Sequence, residues 1–187
     1  MDDIAIRPAR IDDAQALIDY LAQLRAEGLE TLFHRARLPT LTEEQAWVRS
    51  LVQSPGSHLL LATRGDAVVG LIDARRRSHV QLAHSVVLGV SVLREHRGRG
   101  IGRALFRALF EALATTPEIE RVELEVLGNN PRAITLYERL DFVHEGRKRG
   151  AVRVGDERVD IVQMAWRRPA AASSSPSVFD GSAGPVG

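Results

Sequence analysis

The 187-residue chain contains no cysteine. Disulfides, thiolate nucleophiles and cysteine-ligated metals are thereby excluded, and the composition suits a cytoplasmic protein. Aromatic residues are few, at 5% of the chain, with two tyrosines and two tryptophans, so a tyrosine inside a motif carries weight. Long apolar runs are missing too. No stretch approaches the about 18 residues that a membrane helix needs. The start, Met1-Asp2-Asp3, is acidic and has no apolar leader core. Neither sign of charge dominates: 25 basic against 24 acidic residues leave a net charge of +1, and nothing global attracts nucleic acid. The histidines, His34, His58, His79, His84, His96 and His144, fall at no metal-ligand spacing, so no metal is expected. What remains is 44% hydrophobic and 26% charged, ordinary for a soluble domain long enough to bury a core.

The most informative stretch is Val90–Leu113. A β-rich run, His84 to Val92, precedes it, and a helix-period stripe of Ile101, Leu105, Leu109, Ala112 and Leu113 closes it. Between them lie Gly98, Gly100 and Gly102, among Arg94, Arg97, Arg99 and Arg103. A strand that feeds a glycine-rich turn and then a helix builds an anion site. The first N–H groups of the helix lack internal acceptors, the macrodipole adds positive charge, and glycine lets an anion come close. Arginines add charge-assisted contacts to phosphate. A Walker A loop is excluded because Arg103-Ala104 stands where Lys-Ser or Lys-Thr belongs. A dinucleotide fingerprint fails from either starting glycine, ending on Arg103 or Leu105. The turn reads as a pyrophosphate site.

A second pattern follows the strand Val122–Val126: Asn129-Asn130-Pro131-Arg132-Ala133-Ile134-Thr135-Leu136-Tyr137, ending at Asp141-Phe142. Together the two stretches resemble the signatures of the GNAT superfamily of N-acetyltransferases. Its acyl-coenzyme A loop, Gln/Arg-x-x-Gly-x-Gly/Ala, is matched by Arg97, Gly100 and Gly102. Its second signature, Asn-x-x-Ala-x-x-Leu-Tyr, is matched by Asn130, Ala133, Leu136 and Tyr137. Asp141 departs from the family's usual glycine, yet Asp tolerates the left-handed conformation that ends a helix. The resemblance extends over roughly Ile4 to Trp166 and is strongest from Val90 to Phe142.

The resemblance implies a single α/β domain. It has a mixed, mostly antiparallel sheet of about seven strands, splayed between the fourth and fifth and flanked by about four helices. Residues 1–167 would form it, with an Ala/Ser/Gly/Pro-rich flexible tail over 168–187. Acetyl-CoA would be the acetyl donor. Val90, Ser91 and Val92 would hold its pantetheine arm through main-chain atoms. Arg97, Gly98, Arg99, Gly100, Ile101, Gly102 and Arg103 would hold the pyrophosphate, and Asn130 would touch the cofactor as well as capping its own helix. The acceptor would be the amine of a small molecule or a peptide N-terminus, with homodimers common among such domains. Two residues would carry the chemistry. Glu125 either accepts the amine's proton or pairs an arginine. Tyr137 either protonates the leaving thiolate or fills the core.

Elsewhere the patterning is plainer. Ile4–Ala9 alternates like an edge strand, and Asp12 is placed to cap a helix through Ala14, Leu17, Ile18 and Leu21. Residues 28–39 are irregular, with Phe33 as either acceptor wall or core. Thr42 and Gln45 read as a capping box, stopped by Pro55-Gly56. Arg64-Gly65-Asp66-Ala67 reads as a hairpin turn. Arg75-Arg76-Arg77 is either a solvated loop or a patch for acidic partners. Two other functions remain possible at this level. One is a non-catalytic acyl-CoA sensor, and the other is a nucleic-acid binder using those three arginines.

Overall fold

The computed structural model describes residues 4–28 and 37–169. Seven strands form one sheet: β1 (Ile4–Pro8), β2 (His58–Arg64), β3 (Ala67–Arg76), β4 (Ser85–Val92), β5 (Arg121–Leu127), β6 (Val143–Val154) and β7 (Glu157–Arg167). Their order is β1-β2-β3-β4-β5-β7-β6. Every neighbouring pair is antiparallel except β4 and β5. The helices are α1 (Ala14–Ala26), α2 (Leu41–Val52), α3 (Ile101–Ala114) and α4 (Pro131–Glu138). A parallel pair requires a crossover, and α3 supplies it.

Burial separates two apolar layers. Leu17, Tyr20 and Leu24 of α1 pack with Val48 and Leu51 of α2 against Leu59, Leu61, Val68 and Leu71. Ile101, Leu105, Phe106, Leu109 and Leu113 of α3 pack against the other face, with Val86, Leu88, Val122, Leu124 and Val126. Covered on both sides, β2 and β3 are almost continuously apolar and buried. Each large apolar side chain so buried contributes about 1.5–3 kcal/mol. At the opposite edge, β6 is largely exposed and correspondingly polar.

Several local expectations move by a residue or two. The α2 cap is Thr40 with Glu43, a reciprocal capping box, rather than Thr42 with Gln45. Asp13, not Asp12, receives the Arg10 N–H at 2.6 Å and pairs with Arg7 before α1. The Gly65-Asp66 turn joins β2 to β3, and Asp141 adopts φ 63°. The three consecutive arginines do not make a free basic loop. Arg75 and Arg76 lie within β3, where Arg75 sits beside Asp73. Arg76 donates to the Ala83 carbonyl, and Arg77 reaches Glu123 at 2.5 Å. Arg168 is still tied to the domain: its side chain donates to the carbonyls of Leu113 and Ile119, so the folded chain runs past residue 167. Phe33 and the segment 170–187 lie outside the described residues.

Candidate active site

The parallel ladder between β4 and β5 is short. It runs from Ser85–Arg121 to Leu88–Leu124 and then stops. Beyond it β4 stays with β3 as far as Val92–Gly70, and β5 stays with β7 as far as Leu127–Ile161. Two strands that continue in the sheet but lose each other leave a cleft open on one end. Antiparallel pairing fixes which groups face it. The Leu93 N–H donates to Val69 C=O at 3.0 Å, so alternate residues of β4 bond β3 and the others turn away. Val90 therefore presents its N–H and C=O groups to the cleft and Val92 its N–H, the Val92 C=O being taken by Arg97. Ser91 does not. Its main chain faces β3, and its hydroxyl accepts a 2.7 Å bond from Tyr20 of α1. The expected main-chain role of Ser91 is thus corrected: it anchors β4 to α1.

Below the cleft, β4 leads into a one-turn helix, Arg94–His96, and then the glycine turn. Gly98 and Gly100 take φ values of 82° and 81°, a region other residues enter at a cost. The first intrahelical bond of α3 runs from Ala104 N–H to Gly100 C=O at 3.0 Å. The N–H groups of Ile101, Gly102 and Arg103 precede it and have no acceptor in the helix. This is the geometry of an anion site. Gly102 faces α4. A Cβ there would stand 3.4 Å from Leu136, already in contact, so a side chain larger than alanine would press on α4. Arg97 is corrected as a side-chain phosphate ligand: its guanidinium donates to Val92 C=O at 2.8 Å and to Glu27 at 2.7 Å. Its N–H is used by Arg94 C=O. It braces the turn from behind. Arg132 of α4 comes in over the front, its Nη2 standing 3.2 Å from where a Gly98 Cβ would lie.

Asn130 caps α4, accepting the Ala133 N–H at 3.1 Å. Tyr137 follows on the same helix, only 6% exposed. Its ring is clasped by Phe106 and Phe142 at centroid distances of 5.8 and 5.9 Å. Burial raises its pKa, so the phenol stays protonated at neutral pH. Glu125 lies on the opposite face of the sheet, on β5, where Lys148 approaches at 2.5 Å and Gln163 at 3.0 Å. Its ionic partner is thus a lysine and not one of the arginines. Its neighbour Glu123 belongs to a separate chain of ions, Arg77–Glu123–Arg121–Glu145. The arginines there hold the Glu123 and Glu145 carboxyls below their usual range against burial.

Asp73 was not singled out by sequence. It is the lone charge in the run Val68–Ala74 and only 4% exposed. Burial raises its pKa to about 6, with Arg75 opposing the rise. A charged residue inside so apolar a strand is the signal that could have found it. Tyr20, Glu27 and Arg132 had no such signal, because their roles are created by contacts between distant elements.

Comparison with known proteins agrees with this architecture. A model of the acetyltransferase (GNAT) family matches residues 15–142. The L-amino acid N-acetyltransferase AaaT of Escherichia coli (strain K12) is 30% identical over 166 residues, covering 88% of this chain and 98% of that protein. An acetyltransferase of the GNAT family from Streptococcus pneumoniae superposes with a TM-score of 0.83 at 22% identity, covering 89% of this chain and 99% of its own. A putative acetyltransferase from Salmonella typhimurium, solved with its cofactor acetyl-CoA, gives a TM-score of 0.78 at 20% identity, over 92% of this chain and 98% of its own. With a cleft between β4 and β5, an anion turn opening α3 and a family match over most of the domain, the chain belongs to the GNAT acetyltransferase family and is an acyltransferase that uses acetyl-CoA.

Proposed function

We propose that this enzyme moves the acetyl group of acetyl-CoA directly onto a primary amine, either of a small molecule or of a protein N-terminus, and that free amino acids are the first acceptors to try. The observation that carries the reading is the placement of two groups on opposite faces of the sheet beside the β4–β5 opening. Glu125 stands on the α1/α2 face, and Tyr137 stands in the α3/α4 layer. The amino-acid preference is supported by the likeness to the E. coli L-amino acid N-acetyltransferase, which spans nearly all of that protein.

Acetyl-CoA supplies an activated thioester. The N–H groups of Ile101, Gly102 and Arg103, with the Arg132 guanidinium nearby, suit its pyrophosphate, and the outward groups of Val90 with the Val92 N–H suit its extended arm. Glu125 removes a proton from the attacking ammonium, directly or through a water, since only the neutral amine is nucleophilic. Tyr137, held protonated, donates to the departing sulfur. Asn130 fixes the start of α4 and so the position of Tyr137.

The test is thiol release from acetyl-CoA with amino acids, polyamines and N-terminal peptides, using wild type, Glu125→Gln and Tyr137→Phe. Turnover confined to one acceptor class and reduced at least tenfold in both variants supports the reading. Acetyl-CoA binding with no turnover on any amine refutes it and favours a sensor.

A further inference from the structure

The buried carboxylate of Asp73 has no place in the reaction as described so far. It lies on β3 directly across from Gly89 of β4. On the other side of Gly89 the parallel register pairs Val87 with Glu123 and Leu88 with Leu124. The next residue of β5 on the same face is Glu125. Asp73, Gly89 and Glu125 therefore form one row across three strands, on the α1/α2 face. The residue in the middle has no side chain. The row crosses the sheet at the first position where β4 and β5 are no longer bonded, which is the floor of the cleft.

The protein satisfies this carboxylate poorly. Arg75 Nε is 2.9 Å from Oδ2, but out of line for a hydrogen bond, and Oδ2 is sealed from solvent with no hydrogen-bond donor. Buried carboxylates ordinarily accept such bonds, because an unmet acceptor is costly. In the row across the sheet the neighbouring position is Gly89, so no side chain of that row stands between Asp73 and Glu125. A substrate ammonium carries the donors required, and its positive charge is what a desolvated carboxylate recognises most strongly.

We infer that Asp73 is the acceptor-binding carboxylate of this enzyme: its carboxylate takes a hydrogen bond from the ammonium of the incoming primary amine across Gly89, while Glu125 faces the same nitrogen from β5. This rests on the amine acetyltransferase reading and adds a residue and a requirement to it. The acceptor must arrive as a cation, and binding and proton removal fall to different carboxylates.

Steady-state kinetics of the full chain with Asp73→Asn and Asp73→Glu test this, using the same panel of amino acids, polyamines and N-terminal peptides. Asp73→Asn should raise the acceptor KM at least tenfold and leave the acetyl-CoA dissociation constant, measured by calorimetry, within twofold. Asp73→Glu, which keeps the charge, should fall between wild type and Asp73→Asn. An unchanged acceptor KM in Asp73→Asn, with the wild type active, overturns the assignment of Asp73 and leaves the acetyltransferase standing. Should Asp73→Asn fail to fold, an Asp73→Glu acceptor KM within twofold of wild type overturns it equally. A wild type that binds acetyl-CoA but acetylates no amine removes both readings together.

Discussion

Arg97 and Glu27 meet at 2.7 Å, although 70 residues separate them in sequence. Glu27 also accepts the Arg94 N–H at 2.6 Å, and its own carbonyl accepts from the Arg94 side chain at 2.7 Å. The C-terminal end of α1 thus braces the turn that follows β4. Replacing Glu27 by Gln leaves the partly buried Arg97 without its counter-ion, a loss of about 1–3 kcal/mol. The expected outcome is a five- to twentyfold weaker acetyl-CoA dissociation constant by calorimetry, with Glu27 itself touching no phosphate. Unchanged affinity would mean that the turn holds its shape alone.

Two glycines of the turn should fail in different ways. Gly100→Ala adds a Cβ that meets nothing within 4 Å, but forces a side chain onto φ 81°, costing about 1–2 kcal/mol. Its effect should appear in acetyl-CoA affinity. Gly102→Val is conformationally allowed but pushes on Leu136, costing about 1–3 kcal/mol through overpacking. Because α4 carries Tyr137, this variant should lower kcat as well as the melting temperature. A Gly102→Val enzyme with normal kcat would separate α4 from catalysis.

Tyr137 offers a clean division between packing and chemistry. Tyr137→Phe keeps the ring between Phe106 and Phe142, so stability should change by under about 1 kcal/mol while kcat falls about a hundredfold. Tyr137→Ala removes the ring and should cost about 3–5 kcal/mol. Chemical denaturation beside steady-state kinetics reads both. Equal kcat for Tyr137→Phe and wild type would leave the residue a core aromatic only. Since burial raises its pKa, no alkaline decline of rate below pH 10 should trace to this phenol.

Asp73 predicts a pH dependence of stability with a definite sign. Its folded pKa, raised to about 6 from an unfolded value of 3.8, means that the native state binds the extra proton between those values. Stability from this group is therefore present at low pH and is lost as pH rises through that window, an effect on the order of 2–3 kcal/mol. Asp73→Asn cannot lose that proton, so it should melt higher than wild type at pH 7.5 and about equally at pH 4.5. A lower melting temperature at pH 7.5 would show that the carboxylate, charged, is well satisfied after all.

Much of this was readable in advance, for reasons that differ from residue to residue. Local signals survived: the period of Ile101, Leu105 and Leu109 marked α3, Asn130-Pro131 marked the start of α4, and Gly65-Asp66 marked the first hairpin. The family pattern brought the mixed sheet of about seven strands, splayed between the fourth and fifth, and the two catalytic candidates. What failed was anything decided by a partner far along the chain. Arg97 looked like a phosphate ligand because Glu27 could not be seen, and the Arg75–Arg77 run looked free because Asp73, Ala83 and Glu123 could not. Ser91 illustrates a subtler limit. The strand was correctly located, but which of its groups turn toward the cleft depends on the hydrogen-bond phase with β3, and composition does not encode that phase.

The four-residue ladder between β4 and β5 also bears on how the domain holds together. Strands β1 to β4 and strands β5 to β7 each pair antiparallel, whereas the two groups meet only through this parallel seam. It has fewer pairs than any other junction of the sheet, so it is the join most easily parted. A molecule bound there spans both groups of strands and fastens them together. At a concentration one hundred times its dissociation constant it adds about 2.7 kcal/mol to unfolding. Donor supply would then govern how long the enzyme persists as well as how fast it turns over.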